Sequence, residues 1–300
     1  MIKSIKNLLL DYYKLSKPGI VFLLVLVSIA GYIVSVKTLE IVRLIILIIS
    51  GAFASGGSAM INNYLDKERD KKMKRTMKRP LPAGRVKSLH VLIIGVILII
   101  SSLIISFTWL GFMTSIFIIL GALIYLYIYT ILLKPRTPLN IVIGGFAGSC
   151  AALAGSATSG SITITGIILG LLVFIWTPGH FWSLALKFKD DYVNTKIPML
   201  PAISSTETTI KAIIISNIST SLFSLLLIYP FRSAGITYTI LSIILTIYII
   251  YLSMKLSKQP TSANSIKLFK TSNMYLTILC ITLIFDTIIK PQAYFLNNCF

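Results

Sequence analysis

Polarity along this chain changes in long blocks. Runs of about 20 mostly apolar residues, the length that crosses a bilayer as a helix, recur from end to end. Nine such runs are present, at 19–36, 41–65, 89–109, 111–133, 139–158, 162–187, 208–230, 234–255 and 270–290. Some are joined by almost no chain: "SVKTLE", the "LG" at Leu110–Gly111 and "SGSIT" read as tight hairpins. The longer polar links, 66–88, 188–207 and 256–269, and the short "KPRTP" alternate with those hairpins. Ahead of the first run, "MIKSIKNLLLDYYKLSKPG" carries too short an apolar stretch for a span or a secretory signal. Residues 1–18 read instead as a basic, partly amphipathic segment on the membrane surface.

Composition agrees with the bilayer as solvent. The chain has 300 residues, 56% of them hydrophobic and 12% charged, with a mean hydropathy of +0.88. A soluble domain needs more polar surface. The expected fold is an all-α integral membrane protein, a single domain over 1–300 with nine transmembrane helices. A net charge of +19 would suggest nucleic acid in a soluble protein. Here the cations stand between apolar runs, so they report membrane orientation and an anionic ligand, and no nucleic acid partner is expected. With the N-terminus and alternate loops inside, 24 of the 28 Lys and Arg residues fall on the cytoplasmic side. Only Lys37, Arg43, Arg232 and Lys290 lie outside. That asymmetry predicts a multi-pass protein of the cell membrane, N-terminus cytoplasmic and C-terminus outside. The three cysteines, Cys150, Cys280 and Cys299, form neither a disulfide framework nor a metal cluster.

The acidic residues are as unevenly placed as the basic ones. Asp66, Glu68, Asp70, Asp190, Asp191 and Glu207 fall in the two long inner links or at their edges. Asp286, near the outer end of the last run, reads as an interfacial charge. A channel or transporter more often sets its charges at the membrane midplane, and runs 3, 4, 5, 7 and 8 offer none there. In "NNYLDKERD", Asn62, Asp66 and Asp70 are spaced i, i+4, i+8. On a helix this spacing drifts by only about 80° over a rise of about 12 Å. Such an oxygen ladder suits a hard divalent cation, and magnesium takes one or two carboxylates while sharing its other positions with phosphates. The pair Asp190–Asp191 ends run 6 on the same side. Lys74, Arg75, Lys78 and Arg79 in the first link, with Lys134 and Arg136 after run 4, are then candidate diphosphate donors. Lys71, Lys72 and Lys87 read as orientation charges.

These residues carry a resemblance. "NNYLDKERD" followed by "KRTMKRPLPAGRV" is similar to the first motif of the UbiA-type intramembrane prenyltransferases. "KPRTPLNIVIGGFAGSCAALAG", "WTPGHFWSLALKFKDDY" and "IPMLP" resemble the protohaem IX farnesyltransferase branch of that superfamily, with similarity from about Lys17 to Pro201. The resemblance implies nine transmembrane helices around a central cavity open to the cytoplasm, Mg²⁺ on the acidic motifs, and farnesyl transfer from farnesyl diphosphate to a vinyl group of haem b, which is substrate and not cofactor. Carried over, Asn62, Asp66 and Asp70 form the first metal motif and Asp191 belongs to the second. Asp66, Asp70 and Asp191 are thereby the catalytic carboxylates, and Arg75, Arg79, Lys134 and Arg136 hold diphosphate. Many members carry a carboxylate four positions before the second-motif Asp; here it is Lys187. Haem A synthase and oxidase assembly factors are the implied partners besides the lipid bilayer. The alternative within the fold is an aromatic, quinone-precursor or glycerol-phosphate acceptor.

The implied chemistry makes a carbocation, which aromatic faces stabilise. Tyr64 and Tyr127, with Tyr125 and Tyr129, stand near the inner ends of runs 2 and 4, where interfacial tyrosines are also ordinary. His180 is an intramembrane histidine: a ligand or orienting group for haem iron, a propionate partner, or a packed structural residue. Pro178 and Gly179 before it are expected to break or bend run 6 and open backbone groups toward a cavity.

Overall fold

The computed structural model describes residues 5–228 and 234–289. Helix α1 (Ile5–Leu15) meets α2 (Pro18–Ile33) at a 50° bend. There follow α3 (Ile41–Leu65), the short α4 (Lys67–Lys71), α5 (Ser88–Trp109) and α6 (Phe112–Leu123), which continues as a π-helical segment (Ile124–Leu133). Next come α7 (Asn140–Gly144), α8 (Phe146–Thr158), α9 (Ile164–Lys187), α10 (Lys189–Asn194) and α11 (Leu200–Ile203). The chain ends in α12 (Thr206–Leu226), α13 (Ile236–Lys258) and α14 (Ser262–Ile289). Among the described residues, eight helices are long and apolar enough to cross a membrane, or nine when the bent pair α1–α2 counts as one. The expected ends of runs 7 and 9, the outer charges Arg232 and Lys290, and Cys299 lie outside the described residues.

Successive spans pack on one another, and α14 returns to α2 to close the bundle. The lipid-facing surface is written in large apolar residues. On α5, Ile93, Ile97, Ile100, Ile104 and Phe107 are exposed at alternating steps of four and three, while Gly95, Ser102 and Ser106 are buried on the other face. Small buried residues let helices approach closely in a membrane. Gly155 of α8 lies so near α2 that an added Cβ would strike the Ser28 carbonyl, and Gly31 of α2 faces the Ala152 carbonyl in the same way.

Two expectations change. First, α9 runs unbroken through Pro178. The Ser216 hydroxyl of α12 accepts from Gly179 N–H at 2.9 Å and donates to the Ile175 carbonyl at 2.9 Å, so it bridges the weakened turn. The backbone groups are satisfied by a neighbouring helix and not by the cavity. Second, Asp286 is buried, and its Oδ2 accepts the Tyr238 N–H at 2.8 Å near the start of α13. It caps a helix and is not an interfacial charge. The two long inner links also pack against each other. Met73 of the first and Tyr192, Ile197 and Met199 of the second share a small apolar core.

The α2–α8 seam is testable. Gly155→Val should cost at least the roughly 1–3 kcal/mol of an overpacked core. Its thermal unfolding midpoint in detergent should fall by several degrees. Gly19→Ala, where a Cβ meets nothing within 4 Å, should leave the midpoint unchanged or slightly raised.

Candidate active site

The carboxylate ladder survives a change of helix. α3 ends at Leu65, yet Asp66 N–H still reaches the Asn62 carbonyl at 2.9 Å and Asp70 N–H the Asp66 carbonyl at 2.8 Å. The helical register therefore continues, and Asn62, Asp66 and Asp70 are all buried at one end of the bundle. Each is met by a cation. Lys134 Nζ lies 2.5 Å from Asp66 Oδ2, and Arg69 pairs with Asp66 Oδ1 at 3.0 Å. Arg79 pairs with Asp70 at 2.9 Å. Lys17 Nζ donates to Asn62 Oδ1 at 2.6 Å and to the Tyr125 hydroxyl at 3.1 Å. Asn62 Nδ2 donates to Asp66 Oδ2 at 3.1 Å and to Thr130 Oγ1 at 3.0 Å. Burial pushes the Asp66 carboxyl up, but the Lys134 and Arg69 cations together outweigh it and hold it below the usual carboxylate range. Burial and the neighbouring Arg79 bring the Lys17 ammonium down to about 8.

Lys134 reaches this cluster because of the π-helix. Tyr125 and Lys134 are nine residues apart, two and a half α-turns, so an α-helix would set them on opposite faces. Here the bonds join residues five apart, as in Lys134 N–H to the Tyr129 carbonyl at 2.8 Å. Each turn holds more residues, and Tyr125, Tyr129 and Lys134 all line the same cavity. The two tyrosine rings stack at 6.0 Å, and Lys134 stands 6.0 Å from the Tyr129 ring centre.

That cavity has a volume of about 790 Å³. Its mouth carries Lys17, Asp66, Asp70, Arg75, Arg79 and Lys134; its body is apolar and aromatic, with Phe22, Leu47, Ile118, Val173 and Leu276. His180 also lines it. The imidazole is stacked between Trp176 at 4.2 Å and Phe269 at 4.5 Å, and its Nδ1 lies 3.1 Å from Ser272 Oγ. Nε2 has no hydrogen-bond partner among the described residues.

Not every expected residue reaches the cavity. Asp191 is buried, but its two oxygens accept the Lys74 and Arg75 backbone N–H groups at 3.0 and 3.1 Å. It ties the second link to the first; Asp190 is exposed. Arg136 is exposed and donates to the Ile131 and Leu132 carbonyls, so it closes the end of the π-helix and faces away from the mouth. Tyr64 packs with Leu15, Met60 and Leu81, and Tyr127 is 54% exposed on the outer surface. Tyr125 and Tyr129 line the cavity in their place. Sequence reasoning treated Lys17 only as an orientation charge and missed Thr130 and Phe269. Trp176, four residues before His180 on one helix, was readable from spacing.

The donors fit a divalent ion shared with an anionic ligand. Among the described residues no three His, Cys, Asp or Glu side chains gather closely enough to hold a metal by themselves. Two carboxylates and an amide oxygen are a partial set that phosphate oxygens would complete. Arg75, which lines the same cavity, has a buried Nε with no hydrogen-bond partner among the described residues, a donor free for an anionic ligand. The cavity mouth holds four cations to two carboxylates, an excess that suits a polyanion.

Residues 22–279 match the UbiA prenyltransferase family. The protoheme IX farnesyltransferase of Sulfurisphaera tokodaii is 48% identical over 95% of this chain and 95% of its own length. That of Metallosphaera sedula is 45% identical over 96% and 100%. Among solved structures, a digeranylgeranylglyceryl phosphate synthase superposes with a TM-score of 0.75 at 22% identity, covering 93% of this chain and 98% of that one. A UbiA homologue from Archaeoglobus fulgidus bound to DMAPP and Mg²⁺ gives 0.70 at 15% identity, covering 91% and 99%.

The placement separates residues that sequence grouped together. Lys134→Met should lower prenyl transfer about 100-fold while the protein stays folded, because it leaves Asp66 buried with one partner fewer. Arg136→Met and Tyr127→Leu, which face away from the cavity, should stay within about two-fold of the parent in the same radiolabelled-prenyl assay.

Proposed function

The chain belongs to the UbiA prenyltransferase family, and from that premise we infer its reaction. It is a membrane prenyltransferase. We propose that it transfers the farnesyl group of farnesyl diphosphate to a vinyl group of haem b, giving haem O and diphosphate. Support for the acceptor comes from relatives of that name at 45–48% identity over nearly the full chain. The observation that carries the reading is one continuous cavity joining an ionic mouth to an apolar body of prenyl-compatible size.

The diphosphate sits at the mouth in this reading, against Arg75, Arg79, Lys134 and Lys17. Asn62, Asp66 and Asp70 supply oxygens for Mg²⁺. When bound, the ion neutralises diphosphate charge and makes it a better leaving group. Asp191 acts through the first link, whose amides at Lys74 and Arg75 it holds. The allylic C–O bond breaks with its electron pair on the diphosphate oxygen. Arg and Lys donors favour that separated charge more than the intact ester. Tyr125 and Tyr129 present stacked ring faces to the allylic cation. The apolar walls exclude water until the cation is used.

The vinyl π-electrons of the acceptor then form the new C–C bond. The positive charge moves to the carbon beside the porphyrin, where water adds and loses a proton, leaving a hydroxyethylfarnesyl group. No base has to create the nucleophile. His180, held between Trp176 and Phe269 with Nε2 unpartnered, is the acceptor contact. The whole chain works as one domain with the mouth, the N-terminus and the links 66–88 and 188–207 on the cytoplasmic side.

Purified protein incubated with haem b, farnesyl diphosphate and Mg²⁺ should yield haem O by mass spectrometry. Asp66→Ala and Asp70→Ala should each lower the yield at least about 100-fold with the fold retained by circular dichroism. Product with a phenolic or glycerol-phosphate acceptor and none with haem b would overturn the acceptor.

A further inference from the structure

A second, smaller pocket of about 300 Å³ adjoins the mouth between α1 and the link that follows α4. It is lined by Lys14, Lys17, Arg75, Lys78, Arg79 and Arg85, with Leu15, Asn63 and Pro80 as its uncharged wall. Three of the six cations, Lys17, Arg75 and Arg79, line the catalytic cavity as well. The other three do not. Lys14 and Lys78 are exposed, whereas Lys17, Arg75, Arg79 and Lys134 at the cavity mouth are half-buried, so this pocket is the more open to water. No carboxylate lines it among the described residues. Asp11 pairs with Arg85 at 3.1 Å at its edge and fixes α1 to the link.

We propose that this pocket is an exit vestibule that takes the inorganic diphosphate after transfer. The proposal rests on the prenyltransferase reading above. Diphosphate cannot leave through the apolar body of the cavity, where an unpaired polyanion is strongly disfavoured. It must pass the mouth cations. Lys17, Arg75 and Arg79 form the wall between the two spaces, so the ion exchanges one set of donors for the next without losing all its partners. Arg75 has a buried Nε with no acceptor at that boundary. Lys14, Lys78 and Arg85 then meet the ion on the water side. An intact prenyl diphosphate gains nothing from this route, because its chain is held in the apolar body; the freed ion does. The vestibule therefore discriminates product from substrate by the absence of the tail.

The test uses sodium diphosphate as probe, full-length protein in a neutral detergent free of phospholipid, and Lys14→Glu and Lys14→Ala variants. Lys14 is exposed and outside the catalytic cavity. Charge reversal should weaken calorimetric diphosphate binding and raise its product-inhibition constant about ten-fold. Lys14→Ala should fall between it and the parent. KM for farnesyl diphosphate and the initial rate without added product should stay within about two-fold. Unchanged diphosphate binding in both variants overturns the proposal. A KM for farnesyl diphosphate rising in step with the inhibition constant overturns it too, because the pocket is then part of the substrate site. A change in acceptor KM alone assigns the pocket to acceptor carboxylates and also contradicts it. Should the parent fail to convert haem b, the acceptor reading fails, and the calorimetric comparison still decides the vestibule.

Discussion

The site depends on keeping two carboxylates buried at the end of a membrane helix. Asp66 and Asp70 are each under 5% exposed. An unpaired buried carboxylate is strongly disfavoured, so each must be matched by charge and hydrogen bonds. The matching groups come from separate elements: Lys134 from the end of the π-helix, Arg79 from the link after α4, and Lys17, through Asn62, from the bend between α1 and α2. The α1–α2 bend holds Lys17 in a left-handed backbone conformation, φ 53°, a strain that proteins concentrate at working sites. Removing any of these elements would leave charge stranded. The ion cluster, the proposed chemical centre, is thus also the clasp between distant parts of the chain.

Much of this was readable from sequence because it is local. The ladder of Asn62, Asp66 and Asp70 follows from helical spacing, which persists across the change from α3 to α4. The apolar runs, their number and the basic inner links follow from hydropathy alone. What was not readable depends on a partner chosen elsewhere in the chain. Asp191 stands next to Asp190 in sequence, and only the fold shows that one is buried against the Lys74 and Arg75 amides. Tyr127 and Tyr129 differ by two positions, and the π-helix decides which faces the cavity. Ser216 rescues α9 at Pro178 from a different helix, so no local rule could foresee an unbroken turn. His180 was visible as an intramembrane histidine, but the Phe269 ring that stacks on it lies 89 positions away in the sequence.

The cavity is divided between an ionic mouth and an apolar body. In the proposed reaction the mouth would hold the leaving group, and the body would hold the tail and shield the cation. The boundary runs through Tyr125, which touches Lys17 by its hydroxyl and Tyr129 by its ring. The stacked rings and the cationic donors thus adjoin one another along the cavity, with Lys134 standing 6.0 Å from the Tyr129 ring centre.

In the proposed reaction Asp66 and Asp70 hold a divalent ion in contact with the diphosphate. Pulsed electron paramagnetic resonance tests this, with Mn²⁺ in place of Mg²⁺ and a non-hydrolysable farnesyl thiodiphosphate bound. The expected result is a phosphorus hyperfine coupling to the bound Mn²⁺ that disappears in the Asp66→Asn/Asp70→Asn protein. Bound Mn²⁺ with no phosphorus coupling, or the same coupling in that double variant, would contradict it.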